Sequence, residues 1–321
     1  MATPKKNPRR ASISAMSRSL QRTLRAEGKS EKTVYSYSLS VRLLSEYLDE
    51  RGHDLSVDVP KDDIRDFIAE QGRPRLIVDG LGRKHQSGSP ATALVRFKSL
   101  QQLFRHCVEE GELEASPMAG MRAPKVDEVP VPIVDDEVLT ALLKARSGKS
   151  FVDRRDTAIL RLFLDTGSRR AEVTNLRFAD IDLENQTIRV VGKGNKIRSS
   201  VFGLKTAQAI DRYLRLLERD YPERMTDTEG HLWIGRQGPM STSGIADVLH
   251  RMCTDAGVPR LHWHQLRHTF AHQWLANGGN EGDLMSLAGW GSRSMLDRYA
   301  KSAQVERAHA AGRRMSLGDR V

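Results

Sequence analysis

The stretch HWHQLRHTFAHQWL, residues 262–275, puts three histidines and an arginine into seven residues and then runs into Phe270, Trp274 and Leu275. Apolar positions four and one apart predict a helix from about Leu266 that buries one face. The polar residues at its mouth, His262, His264, Arg267 and His268, must then be solvated, hold a metal or face an anion. His264 and His268 are four apart, as in a zinc-binding helix, but Gln265 stands where the hydrolase version carries its glutamate base. Cys107 and Cys253 are the only cysteines and lack the paired spacing of a zinc site. Arg267 favours an anion, because a guanidinium is a rigid fork of donors suited to a phosphate's oxygens.

The charge balance points the same way. Lysine and arginine total 51 against 41 acidic residues, a net charge of +10, which favours an acidic partner, nucleic acid first. No acidic residue precedes Glu27, whereas Lys5, Lys6, Arg9, Arg10, Arg18, Arg22 and Arg25 all do. Residues 1–27 therefore read as a flexible basic tail, one that can also serve as a phosphate-contacting arm with steep salt dependence. Hydrophobic residues make up 39% of the chain, enough for packed cores. No run reaches the roughly 18 apolar residues needed to cross a bilayer, and MATPKKNPRRASIS lacks the apolar core of a secretory signal. Two isolated cysteines imply reduced, buried thiols and a cytoplasmic setting.

Val34, Tyr37, Val41, Leu44 and Leu48 step by three and four, predicting a helix that stops near Gly52. Ile64, Phe67 and Ile68 predict a shorter helix after Pro60. Residues 72–88, rich in glycine, read as a long loop. Ser89-Pro90 then gives a cap and a first-turn proline to a helix through Leu94, Phe97, Leu100, Phe104 and Cys107. Three prolines in PKVDEVPVP, residues 124–132, predict an extended interdomain linker. Beyond it, helices are expected from Asp135 or Asp136 and over residues 153–164. TIRVVGKGNKIRSSVFG, residues 187–203, reads as two strands around a Gly-Asn turn, and helices resume from Lys205.

Basic residues recur in settings that suit phosphate. DTGSRRAEVTNL, residues 165–176, sets Arg169 beside a helix start, where free backbone donors and the helix dipole also attract anions. GKGNK, residues 192–196, puts Lys193 at a hairpin tip, and RYAKS, residues 298–302, supplies Tyr299. Each alone reads as an ordinary surface or packing residue. Their order is specific: Thr-Gly-x-Arg, Gly-Lys-Gly-Asn-Lys, His-x-x-Arg-His, Gly-Trp, then a tyrosine nine positions beyond Trp290. This series resembles the tyrosine recombinase (phage integrase) family over most of residues 30–302, and SPMAGMRAPK, residues 116–125, is similar to the family's exit from its core-binding domain.

The resemblance implies a mainly α fold with a small antiparallel β-sheet: a helical, SAM-like core-binding domain over residues 28–123, and an α+β catalytic domain over 133–302. Val305, Ala308 and Ala311, spaced by three, separately point to residues 303–321 as a tail that docks on a neighbouring protomer. With under 30 residues before the first expected helix, no full arm-binding domain is expected. Carried over by position, Arg169 and Arg267 clamp the scissile phosphate, Lys193 protonates the leaving 5′ oxygen, and His264 assists proton transfer. Tyr299 is the nucleophile. Trp290 stands where most members carry histidine and a minority tryptophan; its indole can donate a hydrogen bond but exchanges no proton, so it positions and packs. Glu172 orients the site and His268 anchors the helix. The implied activity is site-specific recombination of double-stranded DNA core sites through a 3′-phosphotyrosine and a Holliday junction. A homotetramer on DNA in the bacterial cytoplasm, nucleoid-associated, would carry it out, with a directionality factor as an accessory and no metal or other cofactor. Alternatives are a type IB topoisomerase-like enzyme and a non-catalytic DNA-binding regulator of the same fold.

Overall fold

The computed structural model describes residues 11–78, 84–127, 132–192, 197–227, 230–293, 295–296, 308–309, 312–316 and 318–319. The chain forms two compact units, residues 1–128 and 129–321. Among the described residues no helix is long and apolar enough to cross a membrane.

The first unit packs four helices, α1 (Ile13–Ala26), α2 (Glu31–Asp49), α3 (Lys61–Gly72) and α4 (Pro90–Glu109). Serines start three of them: the hydroxyls of Ser12, Ser30 and Ser89 accept hydrogen bonds from the backbone N–H groups of Ala15, Thr33 and Thr92 at 3.1–3.2 Å. Helix α1 corrects the expectation of a flexible tail across residues 1–27. Ile13, Met16, Leu20 and Leu24 recur every three or four residues and are buried among Leu44, Phe67, Leu100 and Phe104. Arg18, Arg22 and Arg25 lie on the opposite, exposed face. Reading the run by charge hid its helical period. Residues 1–10 lie outside the described residues.

A second correction concerns the expected loop at 72–88. Strands β1 (Arg75–Val78) and β2 (Lys84–Ser87) pair antiparallel from Arg75↔Ser87 to Val78↔Lys84. Leu76 is 73% exposed, so the ribbon owes nothing there to a covered apolar face and gave no clear alternating pattern. Burial, ahead of the nearby Glu112 charge, pushes the Cys107 thiol up to about 12, leaving it a neutral packing group.

The second unit surrounds α6 (Phe151–Thr166), which follows α5 (Asp136–Lys144) and leads into the short α7 (Arg170–Thr174). A three-stranded antiparallel sheet, β3 (Ile181–Asp182), β4 (Thr187–Val191) and β5 (Ile197–Val201), comes next, in the order β3-β4-β5. Then follow α8 (Leu204–Asp220), α9 (Pro222–Asp227), a two-stranded ribbon of β6 (Ile234–Gly235) and β7 (Gly238–Pro239), α10 (Thr242–Ala256), α11 (Trp263–Ala276) and α12 (Glu281–Ala288). Two large aromatic side chains of this core spend their polar atoms on backbone groups. The Tyr213 hydroxyl donates to the Leu232 carbonyl at 2.8 Å and accepts from the Ile234 N–H, while the Trp233 indole donates to the Val173 carbonyl at 2.9 Å.

If α1 belongs to the core, Leu24→Ala should cost about 2–5 kcal/mol in a urea titration of the full chain. A value near zero would restore the flexible-tail reading.

Candidate active site

Helix α6 stops at Gly167, whose φ of 54° is left-handed and natural for glycine. Close approach adds a second constraint, since a Cβ at this position would lie 2.2 Å from the Phe270 ring. The turn delivers Arg169 to the N-cap position of α7. Its backbone N–H donates to Glu172 Oε2 at 2.7 Å, and its Nη1 donates to Glu172 Oε1 at 2.9 Å. The other arm, Nη2, reaches the Gly289 carbonyl at 3.4 Å.

Glu172 is 6% exposed and serves a second arginine. Arg198 donates through Nη1 and Nη2 to the two carboxylate oxygens at 3.0 and 2.8 Å, and through Nε to the Leu287 carbonyl at 2.8 Å. Burial alone would raise the Glu172 pKa. The hydrogen bonds from Arg198 and the Arg169 backbone, with the Arg198 charge and the Arg169 side chain, outweigh it and hold the carboxyl below its ordinary value. With its folded value depressed, Glu172 contributes stability at neutral pH that is lost as pH falls through that value. Sequence reasoning missed Arg198. Alternation along β5 carried the signal: Ile197, Ser199 and Val201 are exposed, so Arg198 and Ser200 face inward, and an inward arginine requires a partner.

Helix α11 begins at Trp263, three residues earlier than expected, because Gln265 caps it. The His262 N–H donates to Gln265 Oε1 at 2.8 Å, and the Gln265 N–H donates back to the His262 carbonyl at 2.8 Å. Trp263 stacks on Phe163 at 4.0 Å between ring centroids and donates to the Ile245 carbonyl at 3.0 Å, locking the first turn. His264 and Arg267, three apart, consequently share a face. Arg267 is 3% exposed; Nη1 donates to the Gly167 carbonyl and Nη2 to the Ala288 carbonyl, the latter at 2.7 Å. Its guanidinium lies 5.4 Å from the centre of the buried Trp290 ring. His268 is buried and meets the His264 ring edge-to-face at 4.6 Å.

Arg169, His264 and Arg267 thus line one cleft of about 460 Å³, together with Ser168, Arg170 and Arg260. Glu172 holds Arg169 from beneath, His268 packs against His264, and Trp290 against Arg267. Lys193 and Tyr299 lie outside the described residues; β4 and β5, which flank the Lys193 turn, pair from Thr187↔Val201 to Val191↔Ile197. Among the described residues no three His, Cys, Asp or Glu side chains gather as a metal site. Partial loss of solvation, ahead of the charges of Arg267 and Arg169, holds the His264 imidazole below its ordinary 6.5. At neutral pH the ring is therefore an uncharged base set among cations.

Two outcomes check this geometry. Arg198→Gln should destabilise the chain by about 3 kcal/mol in denaturant, because it strips a buried carboxylate of its main partner, and Arg198→Gln with Glu172→Gln should recover part of the loss. An NMR titration should find His264 below 6.5, with Arg169→Ala raising it; a value above 6.5 would contradict the cationic setting.

The phage integrase family profile matches residues 133–306. The tyrosine recombinase XerC of Pseudomonas aeruginosa strain PAO1 is 30% identical over 250 residues, covering 74% of this chain and 80% of the relative. Among solved structures, the XerH site-specific recombinase bound to palindromic difH substrate, a post-cleavage complex, aligns with a TM-score of 0.68 at 18% identity, over 94% of this chain and 84% of that one. A lambda integrase tetramer bound to a Holliday junction aligns at 0.64 and 15% identity, over 90% of this chain and 77% of that one. Profile, relative and fold agree, and the chain belongs to the phage integrase family of tyrosine recombinases.

Proposed function

We propose that the chain is a site-specific DNA recombinase that breaks and rejoins strands through a 3′-phosphotyrosine on Tyr299. The observation that carries this reading is the meeting of Arg169, His264 and Arg267 in one cleft, held there by Glu172, Arg198 and two backbone carbonyls. A phosphodiester resists attack because its transition state adds negative charge to an anion. Arg169 and Arg267 offset that charge at the non-bridging oxygens, in fixed orientations that need no rearrangement as the charge develops. The Tyr299 oxygen attacks phosphorus while its proton passes towards His264, and the 5′ oxygen leaves with a proton from Lys193. The phosphotyrosine conserves the bond energy, so rejoining to a new strand needs no nucleotide cofactor. Trp290 fixes the Arg267 plane and exchanges no proton.

The first unit would grip the core site as well, with the exposed arginines of α1 adding backbone contacts. The likeness to a lambda integrase tetramer bound to a Holliday junction supports four protomers acting through such a junction.

A nicked suicide duplex tests the reading. Tyr299→Phe should abolish covalent capture and leave binding intact, and undiminished capture would place the nucleophile elsewhere. Arg169→Ala or Arg267→Ala should each slow capture by about 10²–10³-fold, as loss of one preorganised donor does, with a far smaller effect on binding. Efficient relaxation of supercoiled plasmid without site preference would instead favour a topoisomerase.

A further inference from the structure

A second basic concavity lies on the catalytic unit, and none of the described residues lining it lines the catalytic cleft. It is a groove of about 330 Å³ between α6, α8 and the end of α5. Helix α6 contributes Arg154, Thr157 and Arg161; helix α8 contributes Lys205, Gln208 and Arg212. Each set follows the same spacing of three and then four residues, which puts all three side chains on one helix face. Seven residues rise about 10 Å along a helix, so each wall carries two cations that far apart. The Gly203 N–H donates to Asp165 Oδ2 at 2.7 Å, tying the end of α6 to the start of α8. The helices therefore run in opposite senses, with Arg161 near the level of Lys205 and Arg154 near that of Arg212. The groove has two cations at each end.

The internal charges do not balance it. Among the described residues no carboxylate lines the groove. Arg146 at its edge is met by Asp153 at 3.8 Å, Asp156 at 3.7 Å and Asp255. Among the described residues no comparable ion pair engages Arg154, Arg161, Lys205 or Arg212, although Arg154 and Arg161 are half-buried. Like charges gathered in a concavity without counter-charge raise the local potential and concentrate anions. Three of the four are arginines, whose planar forks suit tetrahedral oxyanions.

We infer that this groove is a phosphate-binding site distinct from the cleavage site, built for a ligand with phosphoryl groups spread over about 10 Å. Two sources share that chemistry: a free polyphosphate, and duplex backbone lying outside the cleaved core. Cleavage chemistry on Tyr299 does not enter the inference, so either reading can fail alone.

The test uses the full chain and the paired variant Arg161→Gln with Arg212→Gln, neither residue being paired to a carboxylate or part of the catalytic cleft. Inorganic tripolyphosphate and a long duplex carrying a core site at its centre are titrated separately. The paired variant should melt like the parent and retain suicide-substrate capture. A polyphosphate site predicts at least tenfold weaker tripolyphosphate binding in this variant and unchanged binding in Arg169→Ala. A duplex site predicts that the slope of log affinity against log salt for the long duplex falls by about 2, one phosphate contact per arginine. Either result supports the groove and identifies its source. Unchanged binding of both probes overturns the proposal, as does loss of tripolyphosphate in Arg169→Ala alone. Binding of poly-glutamate through these arginines, with neither phosphate probe affected, overturns it in favour of an acidic protein segment.

Discussion

A single carboxylate organises the catalytic unit. Glu172 is buried, and a lone buried charge is costly enough that such groups are paired or neutralised. Here two guanidiniums and a backbone N–H converge on it from two stretches of chain: Arg169 from the turn after α6, Arg198 from β5. The same arginines reach the Leu287 and Gly289 carbonyls beside Trp290. The need to satisfy this one carboxylate therefore locks the sheet, the α6–α7 turn and the end of α12 together. Arg169 inherits its position in the cleft from that lock.

Arg267 is fixed by a different device. Its arms end on the carbonyls of Gly167, the C-cap of α6, and Ala288, the last residue of α12, where backbone acceptors lack helical partners. A buried cation thus satisfies helix ends while its plane is set against Trp290. Gly167 takes part twice, as acceptor and as the only residue type that leaves room for Phe270. Partial loss of solvation, reinforced by the charges of Arg267 and Arg169, keeps His264 neutral, which is the state a proton acceptor requires.

Periodicity made much of the helical framework legible. The stripes along α2, α3 and α4 were readable because one face of each is buried and the opposite face is wet. Where charge dominated composition, as in α1, or where pairing rested on backbone bonds without a covered face, as in β1 and β2, the pattern was masked. The start of α11 was misread by three residues because Gln265 was weighed as a substitute for a catalytic glutamate, not as a cap. Arg198 went unseen because its partner is 26 residues away and only strand alternation hints at its direction.

By itself the sequence determined the order of the candidate residues: Arg169, Lys193, His264, Arg267, Trp290 and Tyr299 form a series whose spacing resembles the family's motifs. It also determined helices such as α2, α3 and α4, since local stripes depend only on neighbours three and four residues away. Tertiary structure alone decided that Arg169, His264 and Arg267 share a cleft, that Glu172 and Arg198 sit beneath it, and that two helix faces form a second basic groove. The reason is physical: desolvation, ion pairing and close approach act between residues that meet only after folding, and spacing along the chain carries no record of those distances.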